Sequence, residues 1–140
     1  MAYVNQELKA RIKAALKPIM PADWKWSLAV RNHSTIVLTI SAAPADLLGE
    51  IERCAQANAE REGRQNYFRK DGGHADLNVY HFRRALDEHV ELFARIIDAL
   101  NTDNFDNSDL MSDYHHVGHY VTVQIGRWDK AFICTQGGAQ

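Results

Sequence analysis

Hydrophobic residues recur at two different spacings along this 140-residue chain. Spacings of three and four residues, which are typical of amphipathic helices, predict helices over residues 5–17, from Ala43-Pro44-Ala45-Asp46 to about Arg61, and over Phe82–Leu100. Alternation at every second residue, or a run of β-branched residues, is typical of strands. The predicted strands are Trp24–Arg31, Thr35–Ser41, Ala75–Tyr80 and Val117–Ile125.

The order of these elements, αββαβαβ, predicts a fold of the α+β class. We expect a mostly antiparallel sheet of about four strands with helices on one face. Residues 1–140 are interpreted as a single domain, with a core over residues 5–133 and a tail over residues 134–140. Two segments without periodicity are predicted to be connections, residues 62–74 with the Gly72-Gly73 turn and residues 101–116.

Composition narrows the class of protein without naming its function. Hydrophobic residues make up 46% and charged residues 24%, which is typical of a globular domain. The formal net charge of −2 excludes a basic field over the whole protein. No apolar run approaches the roughly 20 residues of a membrane span, and the N-terminus lacks the pattern of a signal peptide. With two distant cysteines, Cys54 and Cys134, we expect free thiols and a cytoplasmic location in a host bacterial cell.

An acidic segment follows the predicted 82–100 helix. It contains Asp103, Asp106, Asp109 and Asp113, and its spacing does not fit the Ca²⁺ loop of an EF-hand, which needs Gly at its sixth position and Glu at its end. Three interpretations stay open: the carboxylates stabilise turns, they face a basic surface on a partner, or they bind a hard divalent cation. If these four residues have a function beyond turn formation, we predict that they bind a partner.

Histidines adjoin the acidic segment. On a strand, His115 and His119 would share one face and His116 would point away, so at most two of them would converge. His119 also falls on the apolar face, where a core histidine hydrogen-bonded to a neighbour is the simpler expectation. A metal-dependent enzyme centred on Asp109, Asp113, His115 and His119 is the third hypothesis for the function. The sequence contains no nucleophile elbow and no phosphate-binding loop, so we predict no catalytic residues, no metal and no cofactor.

Basic residues form two sets that are candidates for binding nucleic acid. Aromatic residues Tyr67 and Phe68 lie beside the second set, a composition found in single-strand binding surfaces. The alternative is a solvated helix face and an exposed connection. The two sets are Lys9, Lys13 and Lys17 in the first helix, and Arg64, Arg69 and Lys70 in the 62–74 connection.

Three stretches of the sequence resemble a known group of domains. They are LKARIKAALKPIMPADWKWSLAVRNHSTIVLTI, NVYHF, and ALNTDNFDNSDLMSDYHHVGHYVTVQIGRWDKAF. Together they resemble the large polyvalent protein-associated domains, which accompany DNA-processing and anti-restriction factors in phages and plasmids. The similarity covers about residues 5–133, and its most specific part is residues 104–120, where D-N-S-D, D-Y and V-G-H-Y stand in order.

The resemblance implies a mobile genetic element as the setting of this protein. A free-standing domain of this kind is expected to be a counter-defence protein, such as an anti-CRISPR-type inhibitor, that occupies a surface of a host nucleic-acid enzyme. Its partner is then a host protein or ribonucleoprotein complex. The alternative is a DNA- or RNA-binding accessory domain of such an element. The resemblance carries over no catalytic residues.

Overall fold

A computed structural model describes residues 4–69, 72–102 and 119–135 of the chain. It confirms the predicted α+β class, with helices and, over the described residues, one mixed sheet of five strands. In chain order the elements are α1 (Gln6–Leu16), β1 (Lys25–Arg31), β2 (Thr35–Ala43), α2 (Leu47–Glu62), β3 (Ala75–Leu77), α3 (Phe82–Ala85), α4 (Val90–Leu100), β4 (Tyr120–Ile125) and β5 (Ile133–Cys134).

Both long N-terminal helices begin at the polar residues that best cap a helix. The Asn5 side chain accepts a hydrogen bond of 2.7 Å from the Leu8 N–H, and the Asp46 side chain accepts one of 3.0 Å from the Gly49 N–H. Each bond satisfies a backbone donor that has no partner inside the helix. Gly63 ends α2 in the left-handed conformation, with φ of 70°, which a residue without a Cβ adopts at little cost.

The strands form a sheet in the order β1-β2-β4-β3. The hairpin β1–β2 and the pair β3–β4 are antiparallel, which agrees approximately with the predicted mostly antiparallel sheet, whereas β4 lies parallel to the central strand β2. β5 extends the sheet by pairing in parallel with the end of β2, where Ala43 lies opposite Cys134. The sheet therefore includes Cys134, which the sequence assigned to the tail.

One face of the sheet packs against the helices. Most of the alternating residues of β2 and β4 on this face are fully buried, and they join residues of α1, α2 and α4 in one hydrophobic cluster. Helices on one face of the sheet are therefore confirmed. The buried residues of the inner face are Ile36, Leu38, Ile40, Val123 and Ile125.

The predicted helix over Phe82–Leu100 is wrong in one respect, because the structure divides it into α3 and α4. Leu86 between them is extended, with φ of −131° and ψ of 155°, yet its side chain is 4% exposed. The apolar spacing thus continues across the break, since Leu86 packs into the same core as the two helices. The break exposes backbone N–H groups at the start of α4, and these are bound from α2, as described below.

The end of β3 also differs from the prediction. β3 ends at Leu77 instead of Tyr80, because the Asn78 side chain accepts hydrogen bonds from the Tyr80 N–H at 2.8 Å and the His81 N–H at 3.2 Å and so forms a turn. β4 begins at Tyr120, and the predicted start of this strand at Val117 lies outside the described residues.

Candidate functional site

A groove of about 1120 Å³ runs along α2. α2 and its N-cap supply most of the lining, and the remainder comes from Asn66, Arg69 and the turn before α4. The lining carries five carboxylates and two guanidinium groups, so the groove has an excess of negative charge. The five carboxylates belong to Asp46, Glu50, Glu52, Glu60 and Glu88.

Glu50 is the buried acidic residue of this groove and caps α4 from another helix. It is only 2% exposed, and its Oε2 accepts hydrogen bonds from the Asp87 N–H at 2.8 Å and the His89 N–H at 3.1 Å. Its Oε1 accepts a third bond of 2.5 Å from Nδ1 of the His89 ring. A negative charge at this place suits the start of a helix, where unpaired N–H groups point outward.

A second, exposed link joins the same two parts of the molecule one turn along α2. The Arg53 guanidinium donates to both carboxylate oxygens of Asp87, at 2.8 and 2.9 Å from Nη2 and 3.2 Å from Nε. These hydrogen bonds hold the pKa of Asp87 below its usual range and raise that of Arg53. Neighbouring Cys54 is a free thiol, as expected; it is partly buried, and burial raises its pKa.

The outer face of the sheet forms a different surface. Its residues are exposed or half-buried apart from Val37, which is 4% exposed, and the Thr39 hydroxyl donates to Gln124 Oε1 at 3.1 Å. A cavity of about 390 Å³ on this face is also lined by Arg31 and by Trp128, whose side chain is 83% exposed. Trp128 lies in the turn between Arg127 and Lys130, which form an isolated β-bridge.

The structure does not bring the two predicted basic sets together. Lys9 and Lys13 lie on α1 and Lys17 directly follows it. α1 packs against α4 and β1, whereas α2, which precedes the second set, packs beside α3. Arg64 pairs with Glu62 at 2.8 Å, and the Arg69 guanidinium donates to backbone carbonyls at 2.8 Å while lining the groove. Lys70 lies outside the described residues.

The predicted acidic contact residues Asp103, Asp106, Asp109 and Asp113 lie outside the described residues, and so do His115 and His116. The described histidine of that group, His119, is 1% exposed, and its Nε2 lies 2.8 Å from the Leu100 carbonyl oxygen. The expectation of a hydrogen-bonded core histidine is therefore confirmed at this position.

Two residues of these surfaces were missed by the sequence reasoning. Glu50 falls between Leu47 and Cys54 on the apolar stripe of its helix, and a carboxylate on such a stripe signals a buried partner. Trp128 stands alone in the polar stretch Gly126–Lys130, where a large aromatic residue has no core to enter.

Comparisons with protein-family models, with curated proteins and with solved structures find no match to this chain. The resemblance to large polyvalent protein-associated domains therefore stays a prediction. Among the residues that the structure describes, no helix is long and apolar enough to cross a membrane.

Proposed function

We propose that this protein is a counter-defence protein of a phage or mobile element, which inhibits a host nucleic-acid enzyme by binding to its surface. The setting and the class of partner rest on the family resemblance. The observation that carries the binding role is Trp128, a large aromatic side chain that is 83% exposed beside the open face of the sheet.

An exposed tryptophan in this position favours protein recognition on energetic grounds. Trp is among the residues enriched at the energetic centres of protein interfaces, where its truncation removes about 2 kcal/mol or more of binding free energy. Around it the outer face offers the mixture that such interfaces use, with the exposed, apolar Ala29 and the hydrogen-bonding side chains of Thr39 and Gln124.

The acidic segment adds a second contact to this proposal. The chain enters the sheet from this segment at Tyr120, whose side chain is 47% exposed and lies on the outer face. We propose that Asp103, Asp106, Asp109 and Asp113 face basic residues of the partner enzyme, because enzymes that bind nucleic acid present basic surfaces to the phosphate backbone.

A second candidate function is direct binding of single-stranded DNA or RNA by the same outer face. The observation that favours it is a small excess of positive charge around Trp128. Three basic residues, Arg31, Arg127 and Lys130, lie near it, together with two acidic residues, Asp76 and Asp129. An aromatic platform beside basic side chains is the usual arrangement for stacking bases and neutralising phosphates. This surface differs from the sets on α1 and at residues 64–70 that the sequence suggested.

A pull-down from bacterial lysate separates the two candidates. The bait is the full chain or its Trp128→Ala variant, and each pull-down is done with and without nuclease digestion. Tyr80→Ala is the matched control, because Tyr80 is an aromatic residue that is 84% exposed in the turn after β3. We expect one host protein, retained after digestion by the wild type and the control, captured at one copy per chain, and inhibited in its activity on nucleic acid. Trp128→Ala should lose this capture.

Three results would decide otherwise. Equal capture by Trp128→Ala would remove the outer face from the proposal, and a captured enzyme of undiminished activity would contradict inhibition. Capture of nucleic acid alone favours the second candidate, for which a mobility shift should weaken steeply with salt. Charge reversal of Arg31 and Lys130, set against reversal of Lys9 and Lys13, then locates the surface responsible.

A further inference from the structure

Three side chains of metal-ligand type meet in the wall of the α2 groove. Glu50, Glu88 and His89 each offer one ligand atom, and these atoms all lie within 4.8 Å of one another. Ligand atoms around one ion with bonds of about 2.0–2.2 Å are separated by roughly 3–4 Å. The exposed side chain of Glu88 therefore needs to move by only about 1 Å to complete the set.

The buried member of this set is already oriented. Glu50 is 2% exposed, and the backbone N–H groups of Asp87 and His89 hold its Oε2 at 2.8 and 3.1 Å. Its Oε1 is left directed toward the His89 ring. Hydrogen bonds of this kind to a ligating carboxylate fix its rotamer and lower the entropy lost when an ion binds.

One contact inside this set has to open before an ion can bind. Nδ1 of His89 and Oε1 of Glu50 are 2.5 Å apart, which is too short for both atoms to ligate one ion. An ion bound to both atoms requires them about 3 Å apart, so binding replaces this hydrogen bond. The His89 side chain is 23% exposed, so the ring has room to open toward the groove.

We propose that Glu50, Glu88 and His89 bind one divalent first-row transition ion, for which Zn²⁺ is the probe. An imidazole together with two carboxylates suits Zn²⁺, Mn²⁺ or Fe²⁺, whereas Mg²⁺ and Ca²⁺ favour oxygen ligands alone. Three protein ligands leave at least one coordination position for solvent or a bound molecule, and all three residues line the groove. The site is independent of the proposed binding role of the outer sheet face.

Isothermal titration of the full chain with Zn²⁺ after treatment with chelator tests this site. The informative variant is Glu88→Gln, because Glu88 is exposed and its loss leaves the cap of α4 intact. We expect one ion per wild-type chain and an affinity at least about tenfold lower for Glu88→Gln, as ligand loss requires. Glu60→Gln is the matched control, since it removes a charge from the same groove outside the set and should bind as the wild type does.

Nuclear magnetic resonance of the histidine rings provides a second readout. Addition of one equivalent of Zn²⁺ should shift the ring nitrogen signals of His89. The same amount of Mg²⁺ should leave these signals unchanged. Undiminished Zn²⁺ binding by Glu88→Gln, or binding without a change at His89, would place the ion on other residues and overturn the proposal. The absence of Zn²⁺ binding to the wild type would overturn it as well, leaving Glu50 and His89 as a helix cap only.

Discussion

The two faces of the sheet are built from neighbouring residues, yet one face is buried under the helices and the other is open to solvent. On β2, Leu38 is fully buried under the helices, while the next residue, Thr39, is half-buried on the outer face and hydrogen-bonded to Gln124. Period-two alternation dictates this separation, because successive side chains of a strand point to opposite faces. The inner face thus provides most of the stability of the domain. The outer face, with Trp128 at its edge, is left available for contacts with a partner.

The largest loss of stability is expected on the inner face, from Leu38→Ala. Removal of the buried side chain leaves a cavity between the sheet and the helices, which costs about 3 kcal/mol of unfolding free energy. The neighbouring change Thr39→Ala, which removes one partly buried hydrogen bond, should cost less than about 1 kcal/mol. Urea unfolding of both variants measures the difference. Equal losses would mean that the outer face is packed as tightly as the inner one.

A slightly smaller loss is expected from Glu50→Ala on the helical side. The change leaves the N–H groups of Asp87 and His89 at the start of α4 without their acceptor, which costs roughly 2–3 kcal/mol. Amide hydrogen exchange should quicken first at the beginning of α4. The comparison variant Glu60→Ala, on the exposed side of the same helix, should change the unfolding free energy by less than about 0.5 kcal/mol.

The acidic segment should affect binding and leave folding unchanged. Charge reversal of Asp106, Asp109 and Asp113 is expected to weaken the complex with the partner enzyme by about tenfold or more, with stronger weakening at low salt. Calorimetric titration measures the affinity, and thermal unfolding serves as the control for the fold. A triple variant that binds as tightly as the wild type would remove these residues from the contact surface.

The smallest effect is expected from the exposed link between α2 and α4. Arg53 lowers the pKa of Asp87 in the folded protein, so the pair stabilises the fold above the unfolded pKa of Asp87, and this contribution disappears as the pH falls through the lower, folded value. Asp87→Asn should therefore melt earlier than the wild type at pH 7, and the difference should narrow as the pH falls below the ordinary pKa of an aspartate, about 3.9. A difference that persists in acid would assign another role to this side chain.

Local pattern was sufficient to predict most elements and, for β1 and β4, the face that is buried. Trp26 and Leu28 of β1, for example, pack on the core side as their alternation with polar residues indicates. The pattern could not give the parallel pairing of β2 with β4, because alternation determines which face is buried but carries no information about the neighbouring strand.

The break before α4 depends on a contact that no local pattern contains. Leu86 keeps the helical spacing of apolar residues, so the sequence pattern predicts one helix. The N–H groups that the break exposes are bound by Glu50, which lies more than thirty residues away in the sequence. The open sheet face was missed for a related reason. Its members are dispersed over four strands and a turn, and only the fold places Arg31 beside Trp128.

The affinity of the Trp128→Ala variant for the captured host enzyme tests the central claim most directly. If the open face of the sheet is the contact surface, this change should weaken binding by at least about thirtyfold, the equivalent of about 2 kcal/mol, without lowering the melting temperature. The control Tyr80→Ala should bind within about twofold of the wild type. An unchanged affinity for Trp128→Ala would show that the enzyme is bound elsewhere and would contradict the account.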